Sequence, residues 1–435
     1  MQINFSNHIQ MLADKFGDRE ALVNIERNRR YSFREFHLLT NRIVNAMHEK
    51  LNLGLGDCFV NILDNDNMSL IHFATIFKGR ATGAFTNFRD ALSEHIWQVE
   101  TCKAKVAFIE NNLLESHYHM LRERDVLIVC MDPLAETKEG VYPFWDLIEG
   151  VSDENPNVVH DDRGHCALIR FTGGTTGTGK PAMYCIDNWL GMRDTAFALA
   201  DRDAWHQDAR MIHIAPMSHG SGMFYVPTLY SGGCTVTQNE PDLQQYARNI
   251  EAERVTNCFL VPTILYRLLD VADVDLTSLK YIFYGAAPMS PAKLKRLQQK
   301  YGNIFAQVYG STEHFGIVTS LDTRQHIIHS PVEEGRLASA GQVTPGVEVV
   351  VVDDSGNPVK QGEVGEIWMR SRSVCLGYLD NEDKTAEEFT NGFWKSGDIG
   401  YVDEGGFIYI VDRKKDMIIS GGFNVYATEV EAVIN

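Results

Sequence analysis

The 435-residue chain has no uninterrupted apolar run near the ~18 residues that a spanning helix needs, so the sequence offers no transmembrane segment. At the amino terminus, Met1-Gln2-Ile3-Asn4-Phe5-Ser6, no basic stretch precedes an apolar one, and the pattern of a secretory signal is absent. Basic residues are in deficit: 40 Lys and Arg against 58 Asp and Glu leave a net charge of −18. A surface of that sign repels nucleic acid and anionic membrane, although a few backbone N–H groups can still hold an anion locally. The eight cysteines, Cys58, Cys102, Cys130, Cys166, Cys185, Cys234, Cys258 and Cys375, include no C-x-x-C pair and sit mostly in apolar runs. That argues against a disulfide framework or zinc site and for reduced core thiols. Internal repeats and low-complexity tracts are missing too. With 44% hydrophobic and 23% charged residues the composition is that of a folded globular chain, and the expected setting is the cytoplasm.

What is present is alternation. Strand-like runs are expected at 58–63, 105–110, 126–131, 166–171, 211–215, 257–261 and 280–284, with helical stretches between them such as 67–78. This is the signature of α/β layers, and the length suggests roughly three units. One helix has clear bounds: Ser290 suits the N-cap, Pro291 the first turn and Gly302 the stop, with Leu294, Leu297 and Tyr301 on one stripe. The segment before it, Tyr284-Gly285-Ala286-Ala287-Pro288, therefore falls on a strand-to-helix loop, where α/β sheets collect ligands. From about 341 to 412 the character becomes β-rich, with expected strands at 347–353, 365–369 and 407–411. Residues 152–164 read as an acidic surface loop, and 428–435 as the first turns of a helix.

The sharpest local signal is Thr172-Gly173-Gly174-Thr175-Thr176-Gly177-Thr178-Gly179-Lys180-Pro181. Small residues let backbone approach a polyphosphate, hydroxyls and N–H groups donate to its oxygens, and Lys180 adds charge. From Gly174 the string nearly spells a Walker A loop, but Pro181 occupies the position that needs a magnesium-holding hydroxyl. A P-loop NTPase is the weaker reading.

The loop resembles instead the phosphate-binding signature of the adenylate-forming superfamily, which holds acyl- and aryl-CoA synthetases, luciferases and nonribosomal-peptide adenylation domains. Gly173 stands where that family has Ser, Gly179 where it has Pro, and Pro181 where it has Gly. Further resemblances follow in the family's order. Pro216-Met217-Ser218-His219-Gly220 is similar to the segment beside the acyl pocket, and Gly285-Ala286-Ala287-Pro288 to the adenine loop. Tyr309-Gly310-Ser311-Thr312-Glu313 resembles Tyr-Gly-x-Thr-Glu, and Trp394-Lys395-Ser396-Gly397-Asp398 resembles Trp-x-x-Gly-Asp. Asp412-Arg413-Lys414-Lys415-Asp416 and Gly421-Gly422-Phe423-Asn424 look like the interdomain hinge and the loop after it.

The resemblance implies an α/β fold, the large N-terminal domain of adenylate-forming enzymes over 1–414 with a β-rich subdomain at about 341–412, then a hinge and the start of a truncated C-terminal domain over 415–435. It implies ATP, Mg2+ and coenzyme A acting on a small carboxylic acid. The acid attacks the α-phosphorus of ATP, and a thiol then displaces AMP. Thr172, Gly173, Gly174, Thr175, Thr176, Gly177 and Lys180 would hold the outer phosphates. Thr312 would meet the α-phosphate, with Glu313 as magnesium ligand. Gly285, Ala286, Ala287, Pro288, Tyr309, Gly310 and Ser311 would surround adenine, Asp398 would take the ribose hydroxyls, and Arg413 would add a second ribose or phosphate contact. His219 would orient the substrate carboxylate, Lys415 would be the hinge, and Gly422 would line the pantetheine channel. The adenylation lysine of the family's C-terminal domain has no counterpart before Asn435, so an impaired chain is expected.

Gly220, Gly222 and Gly316 leave room for an aryl or a medium-to-long acyl group, walled by Val261, Pro262, Tyr284 and 314–317. No aspartate follows His219 to hold an amino acid's ammonium group. A carrier-protein acceptor, a non-catalytic binding module and a homodimer stay open. The pairs His117/His119 and His326/His329 have metal-like spacing without converging partners and read as surface histidines.

Overall fold

Runs of Val, Ile, Phe and Cys become strands, and these assemble into two large sheets. The computed structural model describes residues 2–134, 136, 138–161, 163–172, 179–416, 418–420 and 423–425. The smaller sheet has seven strands in the order Pro181–Tyr184, Leu168–Phe171, Thr82–Phe85, Cys58–Ile62, Val106–Ile109, Leu127–Cys130, Val141–Pro143. All pair in parallel except Pro181–Tyr184, which runs back along Leu168–Phe171 with Phe171 opposite Pro181. Cys58–Ile62 and Val106–Ile109 are buried at every position, as a parallel sheet covered on both faces requires. Pro181 lies on the sheet's edge strand, where a missing N–H costs little.

The larger sheet has fourteen strands. Its parallel part runs Glu20–Asn24, Cys234–Thr237, Arg210–His213, Asn257–Leu260, Tyr281–Gly285, Phe305–Tyr309. After Glu20–Asn24 the chain returns to the parallel part at Arg210–His213, steps to one side for Cys234–Thr237, then crosses to the other side for the next three strands. At such a reversal the loops leaving two neighbouring strands diverge and open a crevice at their carboxyl ends. Thr319–Leu321 and Gly341–Val343 then pair antiparallel and connect, through Phe407–Arg413, to Phe393–Val402, Gly365–Ser371 and Val347–Val352. The β-rich stretch thus continues the same sheet rather than forming a separate one.

The helix expected from Ser290 spans Pro291–Tyr301; the Ser290 hydroxyl accepts the Lys293 N–H at 3.5 Å and Gly302 ends it. The helix expected at 67–78 is two short ones, Asn65–Leu70 and Phe73–Ile76. Thr75 explains the break, because its hydroxyl donates to the Leu70 carbonyl and so satisfies the end of the first. The 152–164 stretch has few regular elements, but His160–Asp161 pairs with Gln2–Ile3. The expected turns at 428–435 lie outside the described residues. All eight cysteines are free thiols. None of the described helices is long and apolar enough to cross a membrane.

Candidate functional site

The glycine- and threonine-rich loop leaves one strand of the smaller sheet and enters the next, so its neck is the closed end of a hairpin. Thr172 N donates to Lys180 O at 3.0 Å, and Lys180 N donates to the Thr172 hydroxyl at 3.0 Å. Gly179 is required there, since a Cβ would come within 2.4 Å of the Thr172 carbonyl oxygen. A strand follows the loop, whereas a Walker A loop opens a helix; the NTPase alternative fails on topology. Gly173, Gly174, Thr175, Thr176 and Gly177 lie outside the described residues, as does Gly422.

Lys180 points from the neck into a cluster of acids. Its Nζ lies 2.8 Å from Glu388, 3.6 Å from Glu313 and 3.0 Å from the Tyr378 hydroxyl. That hydroxyl also meets Glu388 and sits 3.0 Å from Glu313. One phenolic proton cannot serve two carboxylates at once, so Glu313 shares the Tyr378 donor with Glu388. It is 6% exposed, and burial pushes its carboxyl up against the pull of Lys180. Glu388 was not legible in any motif; only its place on the short helix Glu382–Glu388 brings it here.

On the larger sheet, Gly285 and Tyr309 end neighbouring parallel strands. Gly285 packs so closely that a Cβ would meet the Val308 carbonyl oxygen at 2.1 Å. Ala286 follows with φ +64, a left-handed conformation rare for a residue with a side chain, and Ala286, Ala287 and Pro288 are exposed. Tyr309 donates its hydroxyl to Asp398 Oδ2, and Arg413 Nε lies 2.7 Å from Asp398 Oδ1. Register places Asp398 directly opposite Arg413 on the paired strands Phe393–Val402 and Phe407–Arg413. Asp398 is buried while Arg413 and Lys415 are exposed. Burial pushes the Asp398 carboxyl up and the Arg413 cation opposes this.

A cavity of about 170 Å³ opens at the crevice, lined by Arg170, Gly220, Met223, Phe259, Ala286, Val308, Gly310, Ser311, Thr312, Phe315 and Gly316. Five expected walls, Val261, Pro262, Tyr284, His314 and the buried Ile317, are not among its lining residues. Tyr284 is buried with its hydroxyl 2.8 Å from His326, His314 is buried on Ser371 at 2.7 Å, and Val261 and Pro262 are the N-cap and first residue of the helix Pro262–Leu268. Arg170, Phe259 and Met223 were missed, because no motif marks them: strand pairing brings in the first two, and Met223 comes with the short helical turn Gly220–Phe224. His219 is exposed, just before Gly220 in the cavity wall; the protein behind its ring, and then Arg170, hold its pKa below the usual histidine range. The surface reading of two histidines is wrong. His117 is buried 2.9 Å from His95, and His326 is buried between Tyr284 and the Asp322 carbonyl. Each packs a ring inside and satisfies it locally. Among the described residues no group of three His, Cys, Asp or Glu side chains could hold a metal ion by itself.

The chain belongs to the AMP-binding enzyme family, which it matches over residues 9–379. Over 269 residues it is 39% identical to the medium/long-chain-fatty-acid–CoA ligase FadD8 of Mycobacterium tuberculosis, covering 61% of this chain and 46% of that protein. It is 29% identical over 364 residues to the 2-succinylbenzoate–CoA ligase of Bacillus pumilus, covering 82% of this chain and 72% of that one. The chain thus spans under half the length of the first relative. Its fold is that of the large domain of adenylate-forming enzymes. The o-succinylbenzoate CoA synthetase of Bacillus subtilis, solved with an acyl-adenylate, superposes with a TM-score of 0.84 at 23% identity, over 100% of this chain and 83% of that one.

Proposed function

We propose that this chain is the nucleotide- and acid-binding part, residues 1–414 with the hinge at Lys415, of an AMP-forming acid–CoA ligase. The observation that carries this reading is the convergence at one crevice. Ala286 and Gly310–Thr312 line a single cavity, with the Tyr309–Asp398–Arg413 group and the Lys180–Glu313 pair on elements continuous with it. Joining a carboxylate to a polyphosphate sets two anions against each other, so the site must neutralise charge and hold the reactants in line.

In this reading the loop that begins at Thr172 wraps the outer phosphates, and Lys180 leaves its carboxylates to meet them. Thr312 offers its hydroxyl to the α-phosphate from the cavity wall. Asp398 accepts the ribose hydroxyls on lone pairs that Tyr309 and Arg413 leave open, and the loop from Gly285 to Pro288 borders adenine. His219 keeps the acid's carboxylate turned toward the α-phosphorus. Glu313, a buried carboxylate that shares the Tyr378 donor with Glu388, suits magnesium, which takes one or two carboxylates and completes its shell with phosphate oxygens. Bound there, magnesium would supply positive charge between the phosphates. A cavity of about 170 Å³ with Phe259 and Phe315 in its walls favours a ring-sized acyl group over a long chain; a comparable engineered cavity of ~150 Å³ holds benzene. Coenzyme A is the proposed acceptor, taking the acyl group as AMP departs.

A thermal-shift panel tests the site directly. AMP and nonhydrolysable acyl-adenylate mimics should stabilise the chain, and GTP should not; at 100 times its Kd a ligand adds ~2.7 kcal/mol. A protein that melts cooperatively but ignores AMP and every mimic would refute the proposal.

A further inference from the structure

Arg170 belongs to no motif, and the reaction outlined above gives it no task. It sits on the strand Leu168–Phe171, two residues before Thr172, and is 3% exposed. Its guanidinium stacks on the Phe315 ring at 3.9 Å, and its Nε and Nη2 both donate to the Ser218 carbonyl oxygen, at 3.0 and 2.6 Å. Arginine has five N–H donors, so two bonds to one acceptor leave three. Among the described residues no carboxylate forms an ion pair with it, and residues 173–178 contain only Gly and Thr. Arg27 shows the contrast: part-buried, it meets Asp64, Asp66, Glu110 and Asp132 within 3.6 Å. Burial pulls the Arg170 pKa down to about 10, which leaves it a cation at neutral pH.

A buried charge without a counter-charge is costly, and the cost is recovered when a ligand brings the opposite charge. Arg170 is also the one charged side chain among the described residues lining the cavity; its companions there are glycines, Ala286, two hydroxyls and apolar side chains. We infer that the acid taken by this chain carries a second, unreacting carboxylate, which Arg170 receives inside the acyl cavity. This rests on the adenylation reading. The reacting carboxylate is the poorer partner. Its charge moves onto phosphate in the transition state, so a cation fixed on it would favour the bound acid over the transition state. A spectator carboxylate keeps its charge throughout. Arg170 is therefore a specificity-determining residue: it selects dicarboxylic acids of ring-sized bulk, and the guanidinium fork matches a carboxylate in two bonds.

The test uses matched nonhydrolysable acyl-adenylate mimics, in which the reacting carboxylate is gone. The pairs are 4-carboxybenzoyl against 4-carbamoylbenzoyl, and succinyl against succinamoyl. Affinities come from titration calorimetry, each divided by the same protein's affinity for AMP. For at least one pair the wild type should prefer the carboxylate by about tenfold or more, the worth of a hydrogen bond to a charged group. Arg170→Met should bring that ratio near one, and Arg170→Lys should keep part of it. Equal binding of both members in both pairs would overturn the inference while leaving the adenylate site intact. A preference that survives Arg170→Met would overturn it as well. If AMP and all four mimics fail to bind, the adenylation reading falls and takes this one with it. Should Arg170→Met not fold, the wild-type ratios and Arg170→Lys decide.

Discussion

At Asp398 a buried carboxylate holds the Tyr309 hydroxyl on one oxygen and the Arg413 guanidinium on the other. Arg413 comes from the neighbouring strand and Tyr309 from further along the same sheet, so the carboxylate's orientation is set before any nucleotide arrives. If it takes the ribose, Asp398→Ala should weaken AMP and ATP equally, by about tenfold or more, since each lost charged hydrogen bond is worth ~1.5–3 kcal/mol. Fluorescence titration with the two nucleotides checks this, and an unchanged AMP affinity would remove the ribose role. The motif made Asp398 and Arg413 visible in the sequence. Their pairing was not visible, because it depends on cross-strand register between two strands whose alignment bends at Ile399/Gly400.

Among the elements, strands were the most readable. The runs 58–63, 105–110, 166–171 and 257–261 became strands within two residues of those bounds, because fully buried parallel strands are continuous apolar runs. The broken helix at 65–76 was not readable, since the interruption comes from a Thr75 hydroxyl bond rather than from Gly or Pro. The short helix Glu382–Glu388 buries none of its residues and has no apolar stripe to announce it, yet it delivers Glu388 to Lys180. The Lys180–Glu388 pair has a consequence for ligands. Glu388→Gln removes one negative charge and loosens Lys180, so ATP should gain affinity relative to AMP by roughly twofold to tenfold, the range for a partly exposed pair. An ATP/AMP ratio that stays constant or falls would mean that Lys180 does not meet the outer phosphates.

Across the whole molecule, Arg27 ties the two sheets together. It follows the strand Glu20–Asn24 of the larger sheet, and it grips carboxylates that follow three adjacent strands of the smaller one: Asp64, Glu110 and Asp132, at 2.7, 2.7 and 2.9 Å. Asp66 stands 3.6 Å away. Four carboxylates exceed what Arg27 and Arg29 can neutralise. Burial, with Asp64 nearby, pushes Glu110 up; burial pushes Asp66 to about 7, with Asp64 and Glu26 adding to it. Native Asp66 and Glu110 thus bind more protons than their unfolded forms, whose pKa values lie near 4. Their contribution to stability is fully present below about pH 4 and is lost as pH rises through about 7 and beyond. Glu110→Gln should therefore flatten the fall in unfolding free energy, read from urea titrations, between about pH 5 and about pH 8 by on the order of 1 kcal/mol. An unaltered slope would place the pH dependence elsewhere.

The unbroken run of the larger sheet has one more result. From Tyr309 to Asp398 and Arg413 the path crosses only paired strands, through Thr319–Leu321, Gly341–Val343 and Phe407–Arg413. Backbone pairing therefore acts as a splint between the two ends of the proposed nucleotide seat. A twist applied to the chain past Lys414 first meets the Lys414 N–H bond to the Gly397 carbonyl oxygen, one residue before Asp398, so strain at that end reaches the seat only by breaking backbone pairing.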